Sequence, residues 1–237
     1  MPEEDPALPP DPALLNRQPK WFKPVYYGVI VASILFLLAL LTAPMTIRSR
    51  KKADQTEAIS NARQIGIALL EFETEYGAFP SAATQAQVTT NFPTSVVKGS
   101  VGADSNGFFK QLFEVGLTES EAMFYAKVKG SRRPDGDIST NAKALEKGEV
   151  GFAYITGLSS FDFPNTPILL TPMIPGTTKF DPKAFKNSDN AVVLRSDNSV
   201  SSYKIENDGR IYDKGIDLLS AKHPVWKGKK PDIRYPE

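Results

Sequence analysis

Residues 24–47 form a run of 24 positions without a charged side chain, dominated by Val25, Val29, Ile30, Val31, Ile34, Leu35, Phe36, Leu37, Leu38, Leu40 and Leu41. Trp21, Tyr26 and Tyr27 stand at one rim, where amphipathic rings favour a membrane interface. As an α-helix such a run covers roughly 36 Å, against about 30 Å of bilayer hydrocarbon. At roughly 0.3–0.6 kcal/mol apiece these aliphatic and Phe side chains favour insertion by about 3–7 kcal/mol. The sequence therefore predicts a single transmembrane helix over 24–47. A cleaved signal peptide needs a shorter apolar core and an A-x-A-like site. Here Leu41-Thr42-Ala43 precede Pro44 and a mostly polar segment, 1–23, precedes the run, so the reading is an uncleaved anchor.

The flanks differ sharply. Residues 1–23 carry six prolines and the acids Glu3, Glu4, Asp5 and Asp11. Such a segment buries too little apolar surface to offset its ordering entropy, and a disordered Pro-rich tail is expected. On the other side come Arg48, Arg50, Lys51 and Lys52, at headgroup height. Ile59, Ala62, Ile65, Leu69, Phe72 and Tyr76 then recur at steps of three and four, the signature of one apolar helix face. An amphipathic helix is expected over 48–80, loosened at Pro44 and stopped by Gly77 and Pro80. The stripe from Ile65 to Tyr76 reads as core; positions 44–59 read as too near the membrane for a head domain to cover, and free for helix–helix packing.

Beyond residue 80 the pattern breaks up. Residues 81–107 are rich in Ser, Thr, Ala and Gly and read as a loop. Asn106 is placed to cap a short helix carrying Phe108, Phe109, Leu112 and Phe113, and Thr118-x-x-Glu121 has capping-box spacing. Residues 131–137 read as a surface loop and 141–147 as a short helix. After Val150, the segments 152–156, 167–171, 191–195, 200–205 and 210–212 are rich in β-branched and aromatic residues. Ser196-Asp-Asn-Ser199 joins two of them as a hairpin, and Asn207-Asp-Gly209 marks a further turn. The expected fold is α+β: a long helix packed on a C-terminal antiparallel sheet, with 81–150 as an irregular, short-helix part of the head and 151–237 as its β part.

Composition removes several chemistries. The 28 basic and 27 acidic side chains leave no nucleic-acid footprint. With no cysteine there are no disulfides, thiolate metal sites or Cys nucleophiles. His223 is the single histidine, and it reads as a surface residue beside Pro224. Paired carboxylates are the remaining acid/base option. Glu71 and Glu75 share a helix face and solvate it, while Asp135-Gly136-Asp137 reads as a turn. No enzyme, cofactor, catalytic residue or metal ligand is expected.

The residues Ala43-Pro44, the basic cluster with Lys52-Ala53-Asp54, the run from Glu57 to Leu70 and the exit Glu75-Tyr-Gly-Ala-Phe-Pro-Ser81 together resemble bacterial type IV pilin-like proteins. The similarity is greatest to the major pseudopilin of type II secretion. Val192-Val-Leu-Arg-Ser-Asp197 and Asn207-Asp-Gly209 are similar to the hairpins closing such heads. The resemblance implies a pilin-like fold and a structural or scaffolding role in the cell envelope, linked to a type II secretion or type IV pilus system. It implies an inner-membrane anchor with a periplasmic head and helix–helix packing with itself or with similar subunits. The charge bias points the other way, with Arg17, Lys20 and Lys23 before the span and Arg48, Arg50, Lys51, Lys52 and Arg63 after it. Gly28 and Val29, with Ser33 at the fifth place, do not match the prepilin processing motif, so the tail is expected to be kept. The resemblance also implies a calcium loop late in the head, with Asp189, Asp197, Asn198, Asn207, Asp208 and Asp213 as the oxygens at hand; the residues themselves read as ordinary turn formers. The alternative function is an anchored glycan- or peptide-binding module, whose mark would be an aromatic pocket around residues 108–125.

Overall fold

The computed structural model describes residues 22–102, 104–186 and 188–237, with the backbone alone described at 22–23 and 39–52. The expected tail, 1–23, lies outside the described residues but for its last two positions. The chain divides into two compact units, 1–49 and 50–237.

The first unit contributes the start of α1 (Phe22–Tyr76), whose helical assignment runs through Pro44. Its described large apolar side chains, from Val25 to Leu38, are all more than a third exposed, on every side of the helix. Among the described residues no helix is long and apolar enough to cross a membrane; residues 39–47 of the predicted span are described without side chains.

The second unit is α+β. Ala58, Ala62, Ile65, Leu69 and Phe72 of α1 are essentially inaccessible, and the Phe72 ring stacks 4.6 Å from that of Tyr76. Coverage begins earlier than the sequence reading placed it. Gln55 is buried, donates to the Ser202 hydroxyl and accepts from that of Ser188 at 3.0 Å, so residues 55–59 belong to the head. The helix stops as expected at Gly77, whose N–H reaches Glu73 O at 2.7 Å with φ 75°.

Residues 81–107 are not one loop. Ser81 and Thr84 form a reciprocal capping box that starts α2 (Ala82–Asn91). Thr84 and Ser81 are in turn tied to Gln111 of α3 (Ser105–Glu114). The cap of α3 is Asp104, which accepts from Gly107 N at 2.8 Å, and not Asn106, which lies inside the helix and donates to Leu145 O. Likewise, Thr118 makes no capping box with Glu121; Ser120 caps a 3₁₀ turn at Glu121–Phe124. Residues 141–147 form successive turns, with Leu145 at φ 48°, where a helix was expected. Asn61 of α1 binds this middle region through the carbonyls of Ala122 and Tyr125.

The strands are β1 (Ala153–Ile155), β2 (Pro167–Thr171), β3 (Asn190–Arg195), β4 (Val200–Lys204) and β7 (Ile233–Arg234), all antiparallel in the order β4-β3-β2-β1-β7. A separate ribbon pairs β5 (Tyr212–Asp213) with β6 (Ile216–Asp217). The pairs Tyr154↔Leu169 and Leu169↔Leu194 point into a first core with α1 and α3. The neighbouring pairs Ala153↔Leu170 and Leu170↔Val193 point into a second core with Phe180, Ile211, Leu218 and Trp226. Both faces being covered, the central strands are apolar at successive positions, without the alternation of a half-exposed sheet. Gly66 allows the close approach of α1 to the β3–β4 turn: a Cβ there would lie 2.1 Å from Asn198 Oδ1 and 3.1 Å from Leu194 Cδ1.

Candidate functional site

The aromatic cluster of residues 108–125 is not a pocket. Phe108, Phe109, Leu112, Phe113 and Phe124 are buried, with Phe109 and Phe124 rings 5.0 Å apart, and they fill the first core. An apolar concavity of the head lies elsewhere. It has a volume of about 270 Å³ and is lined by Phe163, Pro164, Asp213, Ile216, His223 and Val225, among others.

Its walls come from three segments. Loop 157–165 is bound to α1 by Ser160 N, which donates to Glu73 Oε1 at 2.8 Å, and to the β3–β4 turn by the Ser196 hydroxyl, which donates to Phe163 O at 2.7 Å. That anchoring leaves the Phe161 ring 89% and Phe163 half exposed. Lys227 Nζ sits 4.7 Å from the Phe163 ring centroid, a cation–π contact. The β5–β6 ribbon adds Ile216 and Asp213. The third wall is the 3₁₀ turn Pro224–Trp226, held by Trp226 Nε1 donating to Leu218 O at 2.6 Å.

This turn overturns the reading of His223 as a surface residue, since its side chain is buried. Nε2 lies 3.9 Å from Asp213 Oδ2, beyond hydrogen-bond range, and Nδ1 has no hydrogen-bond partner. A Ser-His-Asp relay requires both ring nitrogens to be bonded in line. Among the described residues no serine hydroxyl bonds His223, so that in-line arrangement is not formed at this concavity.

The carboxylates raised by the sequence are dispersed. Glu71 and Glu75 are exposed on α1. Asp197 accepts from Ser199 N, and Asp208 accepts from Arg210 N and from the Tyr212 hydroxyl, so both serve local turns. Tyr212 first, then the Arg210 N–H, hold the Asp208 carboxyl below its ordinary range. Asp189, Asp197, Asp208 and Asp213 are not gathered around one point among the described residues. Asp135 Oδ1 accepts from Asp137 N at 2.8 Å, the turn expected there. Its carboxylate also meets those of Glu121 and Glu149. No signal in the sequence joined these three: Glu121 read as a capping residue and Glu149 had no motif.

No protein-family model matches the chain, and neither a curated protein nor a solved structure matches it.

Proposed function

We propose that the chain is a single-pass, pilin-like structural or scaffolding protein of a bacterial cell envelope, of the kind that serves type II secretion or type IV pilus systems. Residues 24–47 anchor it in the inner membrane and the head is periplasmic. The observation that carries this reading is the division of labour along α1. The stripe from Ala58 to Tyr76 is the spine on which the antiparallel sheet and α3 pack. Upstream, from Val25 to Leu38, the helix is apolar and exposed all round, a pattern that water penalises and lipid or neighbouring helices satisfy. The anchor itself rests on the sequence, and the periplasmic side on the resemblance.

Two measurements on the full-length chain in a bacterial host test the proposal. Alkaline phosphatase fused after Glu237 should be active, because it works only outside the cytoplasm; activity of a cytoplasmic reporter alone overturns the orientation and the envelope role. The chain has no cysteine, so Ile67→Cys on the exposed face of α1 provides one reporter thiol. Disulfide-linked dimers in membranes are expected of a scaffold that associates through this helix, and a monomer under oxidation counts against it.

A second reading, an anchored ligand-binding module, is favoured by the Phe163–Ile216–His223 concavity. Saturable binding of a glycan or peptide that is lost in Phe163→Ala would support it.

A further inference from the structure

Glu121, Asp135 and Glu149 come from three connections that share no regular element: the 3₁₀ turn after Ser120, loop 131–137, and the turn after Gly148. One carboxylate oxygen from each lies within 4.8 Å of the others, with Glu121 and Glu149 buried and Asp135 exposed. Glu121 is fixed in place, since Oε2 accepts from Gly136 N at 3.0 Å and Oε1 from Leu145 N at 2.6 Å. Glu149 Oε2 accepts from Glu146 N at 2.8 Å. Glu149 Oε1, closed off from solvent, has no hydrogen-bond partner. Arg132 Nη2 lies 3.0 Å from it, outside hydrogen-bonding geometry; that guanidinium is half exposed and donates to Glu146 instead.

Three carboxylates therefore meet at one point, and the half-exposed Arg132 guanidinium touches only Glu149 among them while also serving Glu146. Burying a carboxylate is costly unless its charge is matched and its lone pairs are used. A doubly charged ion serves all three at once. The donors are carboxylate oxygens, with no imidazole or thiolate, which selects a hard cation over a thiophilic one. Calcium-like ions bond oxygen at about 2.3–2.6 Å and take further ligands from water, and Asp135 stands at the solvent side where ion and water enter.

We propose that Glu121, Asp135 and Glu149 form a binding site for a divalent, oxygen-seeking cation of the calcium class that ties together the three connections. None of these residues belongs to the late Asp and Asn turns that the sequence brought to notice.

The test uses full-length protein in detergent micelles, stripped with EDTA and titrated with calcium chloride by calorimetry, with melting followed in EDTA, magnesium and calcium. One calcium per chain is expected, with Kd in the range of about 10⁻⁶–10⁻³ M, and a higher Tm in calcium than in EDTA. Asp135→Asn, at an exposed position, should weaken binding about tenfold or more, and Glu149→Gln should abolish it, because affinity follows ligand charge. Asp137→Asn is the control: its carboxylate pairs with Lys143, and binding should stay at the wild-type value. No saturable heat and no rise in Tm up to about 10 mM calcium would overturn the proposal. So would wild-type affinity in Asp135→Asn, or equal weakening in Asp137→Asn, which would reveal diffuse surface charge. Should Glu149→Gln fail to fold, Asp135→Asn against Asp137→Asn decides alone.

Discussion

Replacing Phe72 by Ala tests the helix spine directly. The ring is fully enclosed and stacked on Tyr76. Removing a buried Phe leaves a cavity and costs about 3–5 kcal/mol, while the better helix propensity of Ala returns roughly 0.5 kcal/mol. The net loss of about 2.5–4.5 kcal/mol is a large share of the roughly 5–15 kcal/mol that holds a domain together. For a domain of this size each kcal/mol moves Tm by about 2–4 °C, so Phe72→Ala should melt about 5–18 °C below the wild type. Ile67→Ala is the matched control on the same helix. Its side chain is 54% exposed, so the truncation removes little packing and gains a similar propensity term. It should stay within about 0.5 kcal/mol, or roughly 2 °C. Both variants are compared as full-length protein in micelles, following the near-ultraviolet circular dichroism of the head's buried aromatic side chains. Equal melting temperatures would refute the argument, because the head would then not be built on this face of α1.

Gly66→Ala should lose stability although it improves helix propensity. The gain is about 1 kcal/mol, against about 1–3 kcal/mol for forcing a methyl group into the space of Asn198 and Leu194. Because Asn198 is in the left-handed region (φ 62°), where glycine is at ease, Asn198→Gly should relieve most of that loss; a higher Tm for Gly66→Ala alone would contradict the close approach. Tyr212→Phe removes the hydroxyl that depresses the Asp208 carboxyl, so the Asp208 pKa should rise toward the ordinary aspartate range in a side-chain carboxyl NMR titration, and an unchanged value would exclude that bond. Since the folded value is the lower one, this contribution is present above the unfolded carboxylate pKa and is lost as pH falls through the folded value, so the variant should be less stable than wild type at neutral pH and the difference should vanish on the acid side.

The parts of the fold legible in the sequence are those whose cause is local or periodic. The stripe through Ile65, Leu69 and Phe72 is visible because a helix repeats its face every three or four residues. The segments 167–171 and 191–195 stand out because both faces of the central strands are covered, which leaves no polar alternation. Ser196–Ser199 is visible because turn chemistry is short-ranged. What escaped depends on distant partners. α2 is made of weak helix formers and rests on Ser81, Thr84 and Gln111 bonding across 30 positions of chain, from Ser81 to Gln111. β7 is two residues long and becomes a strand only by pairing with β1. His223 is buried because Trp226, three residues on, is tied to Leu218. Glu121 and Glu149 belong to connections without periodicity, and their meeting with Asp135 is set by the packing of the middle region around α3.

Gln55, Gly66 and Glu73 lie along one line of α1. From 55 to 73 the helix makes about five whole turns, and 66 falls within about 20° of the same meridian. Each meets a different part of the head: Gln55 the Ser188 and Ser202 hydroxyls, Gly66 the Asn198 turn, Glu73 the Ser160 amide. The greasy face alone would tolerate a small roll of the helix, because Leu, Ile and Phe accept many neighbours. Three pins on one meridian do not. The stretch thus behaves as a key with its teeth in line: inserting or deleting a single residue between the pins turns one end by about 100° relative to the other, and the teeth no longer meet their notches together. Changes of length here are tolerated only in steps that restore the phase, whereas the exposed flank with Ile67, Glu71 and Glu75 is free to vary in chemistry while its direction stays set by the opposite side.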